Sequence, residues 1–438
     1  MNITHLLSEV EATDSIRVRG KVTQVVGLVI EANGPPVSIG EFCRIDPPGG
    51  GPSVIAEVVG FRDHRILMMP LGEMTGIAPE SRVTAADEPF TVRVGEDLLG
   101  RVLNGLGEPI DNKGPLWNSQ KRPVANTPPN PLARQRIKEP LGTGIRAIDS
   151  LITCGKGQRV GLFSGSGVGK SVLMGMMARH ANSDVNVIAL IGERGREVRE
   201  FLERDLGPEG LSRSIVVVAT SDQPALVRIK GAQVATAIAE YFRDQGKDVL
   251  LMMDSATRVA MAQREVGLAV GEPPTTRGYT PSTFALLPKL LERAGMGARG
   301  SITGFYTVLV EGDDLDEPVA DAMRSILDGH IILSRRLQTR GHYPAIDVLE
   351  SVSRVMVEVV PPQHFERANR LREVIVTHRE AEDLINIGAY QRGNNPEIDF
   401  AMDHISPINK FLRQGIEEYV PFEESISQMM GLLETQQE

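Results

Sequence analysis

The stretch Ser164-Gly165-Ser166-Gly167-Val168-Gly169-Lys170-Ser171 constrains this chain more than any other. An apolar run, Val160-Gly161-Leu162-Phe163, leads into it, and a helix-like run from Val172 to Arg179 leads out. Strand, glycine loop, Lys-Ser and helix, in that order, form the context of a phosphate-binding loop. Gly165, Gly167 and Gly169, with Ser166 and Val168 between them, let backbone N–H groups turn toward phosphate oxygens without a Cβ in the way. The following helix aims the positive end of its dipole at the same oxygens. Lys170 is placed to reach the β- and γ-phosphates, and Ser171 to ligate Mg²⁺. The pattern ordinarily opens with Gly. Here that position is Ser164, and the three later glycines supply the permissive backbone.

The next strand-like run, Val185 to Ile191, ends in Gly192-Glu193-Arg194-Gly195-Arg196-Glu197. Hydrolysis needs a base or water-positioning group near the γ-phosphate, and Glu193 stands at a strand end that can reach it. Glu197 is a candidate for the surroundings of the Mg²⁺. A further apolar run, Val249 to Met253, ends in Asp254. A buried strand finishing in a carboxylate after a phosphate loop fits the Asp that orders the Mg²⁺ shell.

Around this centre the chain reads as three parts: 1–85, 86–360 and 361–438. Ile16 to Val22 alternates strictly, Val25 to Ile30 is a second apolar run, and Val54 to Val59 and Ile66 to Met69 follow, split by Gly/Pro turns. Short strands at that spacing predict a small β-barrel. An oligonucleotide-binding barrel wants exposed aromatics for stacking, and only Phe42 and Phe61 occur here. Residues 86–150 are turn-rich and proline-dense, a connection leading to the phosphate loop. The runs Val185 to Ile191, Ile215 to Ala219, Val249 to Met253 and Ile302 to Val310 predict a largely parallel, doubly covered sheet. Chemistry on such sheets sits at the carboxyl ends of the strands. Leu371, Val374, Ile375, Leu384 and Ile387 recur at helical spacing in a helical C-terminal part.

The formal net charge of −10 argues against a general nucleic-acid binder. Cys43 and Cys154 are the only cysteines, so no disulfide framework exists and a reducing compartment fits. Met1 to His5 lacks a basic region followed by an apolar run, so no signal peptide is expected.

The residues then reach a family. Besides the phosphate loop and Gly192 to Glu197, the chain carries Ala239-Glu240-Tyr241-Phe242-Arg243-Asp244, Ala262-Gln263-Arg264-Glu265, Gly271-Glu272-Pro273-Pro274, Ile326 to His330 and His342-Tyr343-Pro344-Ala345-Ile346-Asp347. With these it resembles, over nearly its whole length, the hexameric ATPases of flagellar and type III protein export, which are similar to the catalytic subunit of rotary ATP synthase. Phe411-Leu412-Arg413-Gln414-Gly415-Ile416 looks more like the flagellar branch. The resemblance implies a β-barrel, a central RecA-like α/β ATPase domain and a helical C-terminal domain. It implies an ATP phosphohydrolase with Mg²⁺, working as a cytoplasmic homohexamer held peripherally at the inner membrane. Its partners would be export-apparatus stalk and regulator proteins, chaperones and secreted substrates.

Position by position, the resemblance gives Lys170 and Ser171 to phosphate and Mg²⁺, Glu193 to the attacking water and Asp254 to the Mg²⁺ shell. Arg258 would support Glu193, Arg354 would be an arginine finger toward a neighbour's γ-phosphate, and Phe365 an aromatic against adenine. Two other readings stand beside it: a catalytic subunit of a proton-translocating rotary ATPase and a hexameric nucleic-acid translocase. A nucleotide-binding module without turnover is opposed by Glu193. Glu311 to Pro318, five carboxylates in eight residues, reads as a solvated loop. By resemblance it is the loop facing a central stalk.

Overall fold

A computed structural model of the protein describes residues 18–433 apart from 87, 311 and 313. Six strands close a barrel in the order β1-β2-β5-β4-β3-β6. They are β1 (Arg19–Val26), β2 (Val29–Asn33), β3 (Phe42–Asp46), β4 (Val54–Arg62), β5 (Arg65–Pro70) and β6 (Arg82–Ala85). Alternation builds its core: Val54 and Ala56 of β4 are buried, while Ile55 between them is exposed. The expected run Val25–Ile30 is two strands, because Gly27 takes φ +58 and turns the chain between Val26 and Val29. Residues 16 and 17 of the first expected strand lie outside the described residues.

The remaining strands are β7 (Thr91–Val94), β8 (Val102–Asn104), β9 (Gln120–Pro123), β10 (Arg159–Ser164), β11 (Val185–Ile191), β12 (Ser214–Ala219), β13 (Asp248–Asp254), β14 (Gly295–Met296), β15 (Ser301–Leu309), β16 (Gly329–Leu333) and β17 (Val352–Ser353). They form a nine-stranded sheet in the order β17-β16-β10-β15-β13-β11-β12-β8, with β14 on the side of β15, and a separate β7-β9 ladder. From β16 to β8 every pairing is parallel. The turn-rich connection therefore contributes β8, an edge strand of the central sheet. Its three residues are too short to carry a pattern of their own and are fixed by pairing with Val216–Val218.

Successive side chains of β11 enter two separate cores. Val187, Ala189 and Ile191 pack with the helices Ala225–Asp244 and Ala256–Val270 on one face. Ile188 and Leu190 pack on the other face with the helices Arg146–Leu151 and Lys170–His180. The C-terminal helices Pro362–Asn386, Pro396–Leu412 and Phe422–Gly431 close that second core through Leu371, Val374, Ile408, Phe411 and Met429. Each fully buried aliphatic side chain there stabilises by about 1.5–3 kcal/mol.

An ion pair and a hydrogen bond fasten the parts together. Lys230 Nζ lies 2.7 Å from Glu57 Oε2 of the barrel and over the rings of Phe42 and Phe90. Phe42 is thus buried at a junction rather than offered for base stacking. Arg62 Nη2 donates to Val270 O at 3.2 Å. The Ala239–Asp244 motif has a structural use. Glu240, fully buried, accepts from Arg293 Nε at 2.9 Å and Nη2 at 3.0 Å and from Asn126 Nδ2 at 3.0 Å. This ties the proline-dense connection to the helix Ala225–Asp244.

Candidate active site

β10 delivers the phosphate loop and the helix Lys170–His180 continues it. Gly167 (φ +79) and Gly169 (φ +97) hold backbone that L side chains rarely adopt, so the two glycines are conformational requirements. Val168 is buried in the second core and pins the loop from beneath. The Gln338 side chain pins it from above, donating from Nε2 to Gly167 O at 2.7 Å.

A cavity of about 620 Å³ opens over this loop, lined by Gly165, Ser166, Gly167, Gly169, Lys170 and Ser171, and further by Glu193, Glu197, Arg258 and Arg335. Lys170 Nζ sits 2.5 Å from Asp254 Oδ1 and 3.7 Å from Glu193 Oε1. Burial alone would lower the Lys170 pKa, but the Asp254 and Glu193 carboxylates outweigh it and hold the pKa above the usual value. Burial, the Asp254 charge and Glu197 push Glu193 up to about 7 against the pull of Lys170. Glu193 Oε1 and Arg258 Nε are both buried without a hydrogen-bond partner. Such atoms cost about 1–3 kcal/mol each unless a ligand satisfies them.

Local packing explains how Arg258 arrives. Ser255 caps the helix Ala256–Val270 by accepting from Arg258 N at 3.2 Å. The Arg258 stem then lies against Gly192, where an added Cβ would stand 2.8 Å from Arg258 Cβ. Thr307 Oγ1 donates to Asp254 Oδ1 at 2.7 Å. Thr307, Gln338 and Arg335 escaped the sequence reading. The first lies inside an apolar strand, and the other two follow β16, far along the chain from the loop they meet.

The structure thus brings together Lys170, Ser171, Glu193, Glu197, Asp254 and Arg258. It does not bring two others. Arg354 is exposed, its Nη2 donating to Arg324 O at 3.2 Å, and it does not line the cavity. Phe365 is half-buried on the helix Pro362–Asn386, packed on the second core away from the phosphate loop. In the acidic stretch, Glu311 and Asp313 lie outside the described residues. Asp314 pairs with Arg277 at 2.7 Å, and Glu317 caps the helix Pro318–Ile326 through Val319 N and Ala320 N.

The far end of the phosphate-loop helix is also anchored. Arg179 Nη2 donates to Ile416 O at 2.8 Å, and the His180 ring stacks on Tyr419 with centroids 5.0 Å apart.

The groups fit a nucleoside triphosphate with a divalent cation: a positive-φ glycine cradle, a buried lysine held by carboxylates, and Glu193 and Arg258 atoms without hydrogen bonds on residues lining the same cavity. Among the described residues no preassembled cluster of three or more His, Cys, Asp or Glu could hold a metal alone. Fold and site define a P-loop ATPase with a β-barrel before it and a helical unit after it.

Comparison with known proteins narrows the class. Residues 22–86 match the β-barrel domain and 144–353 the nucleotide-binding domain of the ATP synthase alpha/beta family, and 360–431 match the type III secretion EscN ATPase C-terminal domain. The flagellum-specific ATP synthase of Bacillus subtilis is 57% identical over 435 residues, covering 99% of each chain. The type 3 secretion system ATPase of Xanthomonas euvesicatoria is 52% identical, covering 93% of this chain and 92% of that one. The assembled ATPase EscN from the enteropathogenic Escherichia coli type III secretion system superposes with a TM-score of 0.89 at 45% identity, covering 95% of this chain and all of that one. The chain belongs to the family of flagellar and type III secretion export ATPases, and it is an ATPase of that kind.

Proposed function

We propose that the protein hydrolyses MgATP in a homohexameric ring to energise export through a flagellar apparatus, each active site being shared by two neighbouring copies. Its units would be the barrel at 1–85, the ATPase domain at 86–360 and the helical domain at 361–438. The observation that carries the shared site is the split in the machinery: Lys170, Glu193 and Arg258 line one cavity, with Asp254 held against Lys170 Nζ, while Arg354 points elsewhere. In this reading Lys170 and the loop N–H groups bind the phosphates, Glu193 orients and polarises the attacking water, and Arg258 braces Glu193. Ser171, Asp254 and Glu197 are the residues that would hold Mg²⁺, which when bound offsets charge on the β- and γ-phosphates. Arg354 completes the site of the next copy.

The flagellar branch is favoured by the 57% identity to the Bacillus subtilis protein. A solved EscN complex contains that protein's central stalk EscO. By the same likeness this chain takes a stalk partner, with regulator, chaperones and substrates arriving at the ring. No helix among the described residues is long and apolar enough to cross a membrane. Peripheral attachment from the cytoplasm fits that.

The test mixes two dead variants. An arginine finger in trans contributes roughly 10³–10⁵ in rate, or about 4–7 kcal/mol. Arg354→Ala and Glu193→Gln should each bind ATP and turn over poorly. Rings shown by mass spectrometry to contain both should regain activity, because some interfaces then hold both intact groups. Mixed rings as inactive as either parent would rule out a shared site.

A further inference from the structure

Asp254 ends β13 and Lys170 follows the loop after β10, and the strand between these two carries an unassigned hydroxyl. β15 lies between β10, which leads to the phosphate loop, and β13, which ends in Asp254. Leu162 is in register with Thr307, and Met253 with Tyr306, so Thr307 stands beside both functional strand ends. Thr307 is fully buried. Among the described residues, the side-chain donors to Asp254 Oδ1 are Lys170 at 2.5 Å and Thr307 at 2.7 Å.

The two donors differ in what they are free to do. Lys170 sits on a flexible stem at the edge of the nucleotide cavity and carries three N–H donors. A triphosphate competes with Asp254 for it. Thr307 has one proton, a β-branched side chain stiff at χ1, and a place inside a buried strand. We propose that Thr307 is a positioning residue for the divalent cation: its hydroxyl keeps the Asp254 carboxylate in place when Lys170 turns to the phosphates. The proposal rests on reading the cavity as the MgATP site. A strand hydroxyl that merely satisfies itself on the nearest acceptor would leave cation binding alone, and the two roles separate by experiment.

Binding of a fluorescent N-methylanthraniloyl ATP to the full chain is titrated in EDTA and across a Mg²⁺ series for wild type, Thr307→Val and Thr307→Ser. Val keeps the shape and branching without the hydroxyl, and Ser keeps the hydroxyl. A hydrogen bond to a charged group is of a size that corresponds to roughly tenfold. Thr307→Val should therefore raise the Mg²⁺ midpoint about tenfold and leave affinity in EDTA at the wild-type value. Thr307→Ser should restore the midpoint, and should do so even if the Val variant fails to fold. A wild-type midpoint in Thr307→Val, an equal loss of affinity with and without Mg²⁺, or a Ser variant displaced as far as Val overturns the proposal. Absence of nucleotide binding by the wild type in both conditions would instead defeat the reading of the cavity itself.

Discussion

Two buried ionic clusters occupy the α/β domain, and they are finished to different degrees. In one, Glu240 and Arg293, at 0% and 4% side-chain exposure, meet through two hydrogen bonds, and Asn126 supplies a third. In the other, Lys170, Asp254, Glu193 and Arg258 crowd together, yet Glu193 Oε1 and Arg258 Nε lack hydrogen bonds. Both cost desolvation energy. The first offsets that cost within the chain. The second leaves part of it to be offset by what binds. Saturation therefore marks the cluster that holds the fold, and incompleteness marks the one that does chemistry, although both lie in motifs of similar charge density.

The contrast can be broken most forcefully at Glu193. Glu193→Gln should cut turnover by roughly 10²–10⁴ while leaving the thermal midpoint in place, because the charge it removes is met by a loose 3.7 Å pair with Lys170 and by no hydrogen bond at Oε1. Calorimetry beside a phosphate-release assay separates the two effects, and a large fall in midpoint would erase the distinction. The mirror experiment is Glu240→Gln, which strands the Arg293 charge in the interior. It should lower stability by about 3–5 kcal/mol in urea unfolding, with the folded fraction still hydrolysing ATP. Lost activity without lost stability there would turn the first cluster into a functional one.

Acidity sharpens the comparison further. Glu193 is held up to about 7, so its water-polarising carboxylate form is lost as pH falls. Below about pH 7, kcat/KM, which reports the free enzyme, should drop about tenfold per pH unit. A flat profile down to pH 5 would place Glu193 among ordinary carboxylates. The smallest effect is expected at Ser164, whose Oγ is buried without a partner. Ser164→Ala should raise stability by about 1 kcal/mol and leave nucleotide affinity unchanged. A loss of affinity would show that this hydroxyl belongs to the unfinished cluster too.

Much of the fold is legible in the sequence. Apolar runs without alternation are what strands covered on both faces look like, so β11, β12, β13 and β15 were legible to within a residue at either end. The phosphate loop and Asp254 were legible because their chemistry demands a local pattern. Glu240 was not, since its partner Arg293 lies 53 residues on and its third donor 114 residues back. Nor was β8, whose strand character comes from its neighbour. The role implied for Phe365 comes from the resemblance alone, and the helix that carries it packs the half-buried ring against the second core. Asp314 reads as one charge in an acidic loop, and only the folded chain gives it Arg277.

The anchoring of the phosphate-loop helix at both ends has a mechanical side. Its eleven residues span about 16 Å. One end faces the cavity; the other is clipped to Ile416 and Tyr419 of the C-terminal unit. A helix is stiff along its axis, and this one is wedged between a grip on phosphate and a grip on the C-terminal unit. It is a strut. A tilt imposed at the phosphate end of such a strut would be passed on to Ile416 and Tyr419 at the other.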